Sequence, residues 1–184
     1  MALLIRNDDV SMASRIWELL DMYKIIKEKI PNAIIWSAVT VFSKGRAGPV
    51  NPKATHGESR NFADEFYYDV DDAWRYHKGF GDKIVSHGLF HIDHTHLDYK
   101  AVEMSILGSC KYLKTDVFVP PYGYINDNII AICKKHSIKV EHPYPSSGWL
   151  SLELNKFNPK HEKWYFHSWR YSVKDFKEAL EKGI

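Results

Sequence analysis

The 184-residue chain is poor in cysteine, nearly balanced in charge and free of long apolar runs, and each shortage excludes a class of protein. Two cysteines, Cys110 and Cys133, are too few for a disulfide-stapled secreted scaffold. Both fall on helical apolar patterns, so buried reduced thiols are the better reading over a disulfide. Lys and Arg total 25 against 23 Asp and Glu, a formal net charge of +2. A balance this even gives no electrostatic case for nucleic acid or for a membrane surface. No segment approaches the ~20 apolar residues of a membrane span, so no membrane insertion is expected. The five residues before Arg6 are too few for the apolar core and cleavage site of a signal peptide, which points to a cytoplasmic location. Internal repeats and low-complexity stretches are also missing.

What is present is globular, with 45% hydrophobic and 26% charged residues in a length suited to one domain, residues 1–184. Short apolar runs alternate with helical periodicity. Strands are predicted at residues 3–5, 33–42, 83–85, 116–119, 138–140, 149–154 and 164–166. Helices are predicted between them. Ser11 caps the first, whose stripe is Ile16, Leu19, Tyr23, Ile26 and Ile30 before Pro31. Thr95 with Asp98 resembles a capping box ahead of Tyr99, Val102, Ile106, Cys110 and Leu113. Asn126 caps a third helix with Ile129, Ile130 and Cys133, and Ser172 a last one with Val173, Phe176 and Leu180. Strands alternating with helices argue for a parallel α/β fold, and seven strands make a barrel-like closure plausible. Residues 43–81 break the rhythm as a long loop rich in Gly, Pro and aromatics, with a short helix predicted at 69–77.

Polar residues able to bind metal recur where successive strands end: Asp8 and Asp9, then His87 and His91, then Pro120-Pro121-Tyr122, then His167. Strand carboxyl ends line the active sites of parallel α/β folds. In Ser86-His87-Gly88-Leu89-Phe90-His91, two imidazoles four residues apart can face one ion at a strand-to-helix junction. Asp9 would complete a His-His-carboxylate set with positions left open, as catalytic sites require.

Together these segments resemble the polysaccharide deacetylase (NodB-homology, carbohydrate esterase 4-like) superfamily. Asn7-Asp8-Asp9 is similar to its first motif, residues 86–91 to its second, Val119-Pro120-Pro121-Tyr122-Gly123 to its third and Tyr165-Phe166-His167 to its last. The resemblance spans residues 7 to 167 and implies a distorted (β/α)7 barrel. It also implies a hydrolase that removes an N-acetyl or O-acetyl group from a saccharide; the cytoplasmic location expected above suits a precursor sugar for cell-surface glycan synthesis better than a finished wall polymer. Asp9, His87 and His91 would hold one divalent ion, Zn²⁺ by ligand type, with Co²⁺, Ni²⁺ or Fe²⁺ also fitting. Asp8 would be the general base, His167 the general acid, and the Tyr122 amide an oxyanion donor. Pro121, Tyr122 and Trp169 would contact the sugar.

The chain departs from the family pattern at several points. Val10 replaces a Gly in the first motif and Gly88 a Ser or Thr in the second. Val119 stands where relatives carry an Arg that orients the catalytic aspartate; Arg6 or Arg170 would have to reach Asp8 instead. No fourth motif is evident, leaving Glu141 or His142 to support His167. His94 and His96 either support the metal shell or cap a helix and meet solvent. His56, Trp74, Tyr76 and Trp149 are candidates for substrate contact or ordinary packing. Two rival functions follow: a metal-containing carbohydrate-binding module without turnover, and a hydrolase of a different C–N amide bond.

Overall fold

A computed structural model describes residues 3–10, 16–41, 81–141 and 148–183. The loop and short helix predicted within 43–81 fall almost wholly outside these residues, as do His142 and the side chain of Trp169.

Seven strands form one sheet: β1 (Leu4–Val10), β2 (Ile34–Val39), β3 (Lys83–Ser86), β4 (Val117–Phe118), β5 (Lys139–Val140), β6 (Leu150–Ser151) and β7 (Lys163–His167). Every pairing is parallel, in the order β5-β4-β3-β2-β1-β7-β6. That order runs in sequence around a ring cut between β5 and β6. It is the arrangement of a distorted (β/α)7 barrel with one open seam. The pairs Leu4↔Ile34 and Leu4↔Lys163 set β1 between β2 and β7, with a neighbour on each side.

Among the described residues four helices follow strands: α1 (Ile16–Lys29), α2 (Tyr99–Tyr112), α3 (Asp127–Lys135) and α4 (Val173–Glu181). In α1, Leu19, Met22, Tyr23 and Ile26 are buried at the i, i+3, i+4, i+7 spacing of one helical face. They pack with Ile5, Ile35, Trp164, Phe166 and Phe176 in the main core. A second core joins Val102, Ile106 and Cys110 of α2 to Ile129, Ile132 and Cys133 of α3 over Phe118. Both cysteines are free and buried. Asn126 and Ser172 cap α3 and α4 as expected, each accepting a backbone N–H three residues on.

Strands β2 and β6 are shorter than the expected 33–42 and 149–154, and two other boundaries differ for a clear physical reason. Asp98 alone caps α2, because Thr95 lies in a separate 3-10 turn (His94–His96) capped by Asp93. The first strand does not stop at Ile5: Arg6, Asn7, Asp8 and Asp9 all lie within β1. Polar residues look like a loop when read along the chain. Here strand alternation sends Arg6 and Asp8 into the barrel, where they bond each other, while Asn7 faces the helix layer.

Asn7 is part of a buried chain that locks β1, α1 and β2 together. Its Nδ2 donates to the Tyr23 hydroxyl at 3.1 Å, and that hydroxyl lies 2.7 Å from Ser37 Oγ. Tyr23→Phe leaves two buried polar groups without this partner. It should cost about 1–3 kcal/mol, read as a lower urea midpoint with unchanged slope; an unaltered midpoint would show that the chain contributes nothing.

Candidate metal centre

Regular pleating would send the adjacent carboxylates of Asp8 and Asp9 to opposite faces. The register of β1 against β2 moves from Asn7↔Ser37 to Val10↔Val39, so β1 holds one extra residue, a β-bulge. Asp9 takes up the irregularity with φ 59°, a left-handed conformation that Asp tolerates better than most residues. Both carboxylates consequently reach the barrel mouth.

Asp9 Oδ1 lies 3.1 Å from His87 Nε2 and 2.7 Å from His91 Nε2. The ligand atoms of these three residues all lie within 4.8 Å of one another. Among the described residues this is the one such grouping of His, Cys, Asp and Glu. His87 extends from the end of β3; its backbone N–H donates to Val39 O at 2.8 Å. Its Nδ1 meets Val119 O at 2.7 Å. A ring that donates Nδ1–H to a carbonyl keeps Nε2 free for a cation, the usual outer support of a metal-binding His. Two imidazole nitrogens and one carboxylate oxygen are the donor chemistry of a zinc-type ion, so the residues present fit the group that the sequence implies. Burial alone would raise the Asp9 carboxyl, but the charges of His167 and His91 and hydrogen bonds from both ligand histidines hold it well below the ordinary range.

Asp8 is gripped by Arg6, with Nε to Oδ1 at 2.5 Å and Nη2 to Oδ2 at 2.8 Å. This two-point contact fixes the carboxylate plane. Of the two arginines considered from sequence, Arg6 makes the contact, whereas Arg170 is exposed on the turn after β7. The fully buried guanidinium lies 4.3 Å from the ring centre of Trp149. Trp149 is therefore a packing residue, closed to any sugar. Its indole N–H donates to Glu141 at 3.2 Å.

Strand pairing sets His167 beside Asp8. Its Nδ1 is 2.9 Å from Glu153 Oε1, which also accepts the His167 backbone N–H at 2.6 Å, and its Nε2 is 3.8 Å from Asp9 Oδ2. Burial would lower the His167 pKa, but Asp9, Glu153 and Asp8 overcome it and push the value up to about 9. The support expected from Glu141 or His142 thus comes from Glu153, which the sequence reading missed. Glu141 instead pairs with Lys139 and Trp149. The missed signal was register: Ser151 pairs with Tyr165, so two residues on, Glu153 falls beside His167. The Ser168 N–H donates to Asn7 Oδ1 at 2.9 Å, tying the turn behind His167 to β1.

Tyr122 occupies a tight turn (Pro121–Gly123) after β4 with φ 57°, above a buried Pro121. Its ring meets His91 edge-on at 4.6 Å, and Tyr124 follows at 6.1 Å. Trp169 lies on the turn directly after His167. His96 points to solvent, and His94 is buried, its pKa pushed down to about 4 by desolvation.

No protein-family profile and no curated protein matches the sequence. Solved structures do match in fold. A family 4 carbohydrate esterase from Streptomyces lividans is 10% identical with a TM-score of 0.59, over 98% of this chain and 88% of that one. A peptidoglycan deacetylase from Bacillus subtilis is 15% identical with a TM-score of 0.59, over 98% and 82%. A family 4 carbohydrate esterase pseudoenzyme from Bacillus anthracis is 11% identical with a TM-score of 0.58, over 99% of this chain but 59% of that one. The chain has their fold.

His167 carries a pH signature. Its folded value of about 9 exceeds the ~6.5 of an unfolded His. Its protonation therefore stabilises the metal-free fold fully below pH ~6.5, and that contribution fades as pH rises through about 9. In chelator, the urea-midpoint gap between this protein and His167→Gln should be wide at low pH and close toward alkaline pH. A gap that ignores pH would contradict the charged His167.

Proposed function

We propose that the chain is a divergent polysaccharide deacetylase, a metal-dependent hydrolase that removes an acetyl group from a saccharide. The observation that carries this reading is the convergence of Asp9, His87 and His91 beside an Arg6-held Asp8 and a Glu153-held His167. Charge supports it as well: a metal needs the His87 and His91 rings neutral, and Arg6 and His167 then face the three carboxylates of Asp8, Asp9 and Glu153, leaving a negative surplus for a divalent cation.

Asp9, His87 and His91 would hold the ion, which when bound would supply a Lewis acid and bring the pKa of water down toward neutral. The remaining steps fall to the chain's own side chains. Asp8, fixed by Arg6, takes the proton of the attacking water. The Tyr122 amide donates to the oxyanion that forms as the acetyl carbon becomes tetrahedral, a contact worth roughly 3 kcal/mol in comparable enzymes. His167, with Nδ1 on Glu153, presents Nε2 to the leaving group and gives it a proton, without which an amine departs poorly. Pro121, which shapes the Tyr122 turn, Tyr122 and Trp169 are the residues assigned to sugar contact. Zinc is the ion we favour, and a cytoplasmic precursor sugar the substrate.

The pseudoenzyme among the fold neighbours motivates a second reading, a sugar-binding module without turnover. Acetate release separates the two. With zinc, the chain should free acetate from N-acetylated or O-acetylated saccharides, and monosaccharide precursors should outcompete polymers. Sugar binding by calorimetry with no acetate under any divalent metal would favour the module. Formate or ammonia from another amide would move the activity to a different C–N bond.

Substitutions assign the roles. His87→Ala or Asp9→Ala should abolish both bound zinc and activity. Asp8→Asn should keep the zinc while turnover falls by ~10²-fold or more; an unchanged rate would remove Asp8 from the chemistry.

A further inference from the structure

Residues 87–91 supply two of the three proposed ligands, and their footing lies on α2. Gly88 N–H donates to Ser86 Oγ at 3.2 Å, and Ser86 Oγ lies 2.6 Å from Ser109 Oγ. Leu89 N–H donates to Ser105 Oγ at 3.3 Å. Ser105, Gly108 and Ser109 share one face of α2 at i, i+3 and i+4. Gly108 makes the socket for Leu89: a methyl there would stand 3.0 Å from Leu89 Cδ1.

His94 closes this footing from the other side. It is 1% exposed, its Nε2 lies 2.8 Å from the same Ser105 Oγ, and its ring meets Phe118 edge-on at 5.6 Å. It also fills the space that a side chain at position 88 would need. Gly88 has φ 90°, and a Cβ there would stand 3.0 Å from His94 Cε1 and equally close to the Phe90 carbonyl oxygen. Gly88 and His94 are therefore a matched pair, with an imidazole from the following turn occupying the room left by the missing side chain.

We propose that His94 is a positioning residue for the metal centre, holding residues 87–91 through Ser105 and Gly88 so that His87 and His91 keep their separation. The inference rests on the metal-binding reading above but concerns a residue outside the ligand set. His94 is not among the grouped ligand atoms; it acts through the backbone that carries them.

The test is Co²⁺ binding by chelator competition, with the visible absorption of the bound cobalt as a signature that a merely structural role would not move. His94→Ala should weaken Co²⁺ binding about 10–100-fold, the usual effect of losing such outer support, and should shift the absorption. Ser105→Ala should act in the same direction. His94→Gln, which can still reach Ser105, should recover part of the affinity. Gly88→Ser should weaken binding in the parent and cost less beside His94→Ala, which vacates the ring's space. Parent-like affinity and absorption in a folded His94→Ala protein would overturn the proposal. Should that variant not fold, parent-like binding by Ser105→Ala would overturn it equally. A parent chain that binds no Co²⁺ removes the metal reading and this inference together, whereas a parent that binds with indifferent variants removes this inference alone.

Discussion

Neighbouring side chains on a strand face opposite ways, and the barrel mouth depends on one place where that rule is broken. The extra residue in β1 and the left-handed backbone of Asp9 let two consecutive carboxylates serve one site. Asp8 stays in the regular alternation with Arg6 and beside His167, while Asp9 is thrown across to His87 and His91. Such a kink persists only where its surroundings over-determine it. Here β2 and β7 clamp β1 on both sides, and the Asn7–Tyr23–Ser37 chain ties it to the helix layer.

The same constraint organises the electrostatics. Carboxylates brought this close repel unless cations separate them. Arg6 answers Asp8 with a two-point contact, and His167, charged because Asp9 and Glu153 press on it, stands between those two. Arg6 itself is a buried charge, and a lone one would be costly. The Trp149 ring beneath it and the Asp8 carboxylate above it make its place tenable. An arginine on β1 thus supplies the grip on Asp8 that the sequence resemblance would place at position 119, where this chain has Val119. Val119 contributes its carbonyl to His87 instead.

Much of this was legible along the chain, for reasons that differ by residue. Helices α1, α3 and α4 announce themselves by apolar stripes and by Asn126 and Ser172 caps, which are local signals. Asp9, His87 and His91 were legible because Asp9 and His87 lie at strand ends, in a fold whose strand ends converge, and His91 follows His87 by four residues. Arg6 was half legible, since only coordinates could choose it over Arg170. Glu153 was not legible, because its meeting with His167 depends on the register of two short strands and on no local pattern. The length of β1 was misjudged for a related reason: a strand that turns Arg6 and Asp8 into a barrel looks polar, and polarity reads as loop. The role argued for His94 follows from its hydrogen bond with Ser105 and from the space it takes where position 88 has no side chain, neither of which a spacing rule announces.

The central claim is that the bulge at Asp9 builds a cation site, and diffraction from metal-loaded crystals addresses it most directly. Data collected at the zinc edge should show one anomalous peak at ~2.0–2.2 Å from an Asp9 carboxylate oxygen and from the Nε2 atoms of His87 and His91. A map with the three side chains still bonded to one another and no peak between them, or with the ion held elsewhere, would contradict it.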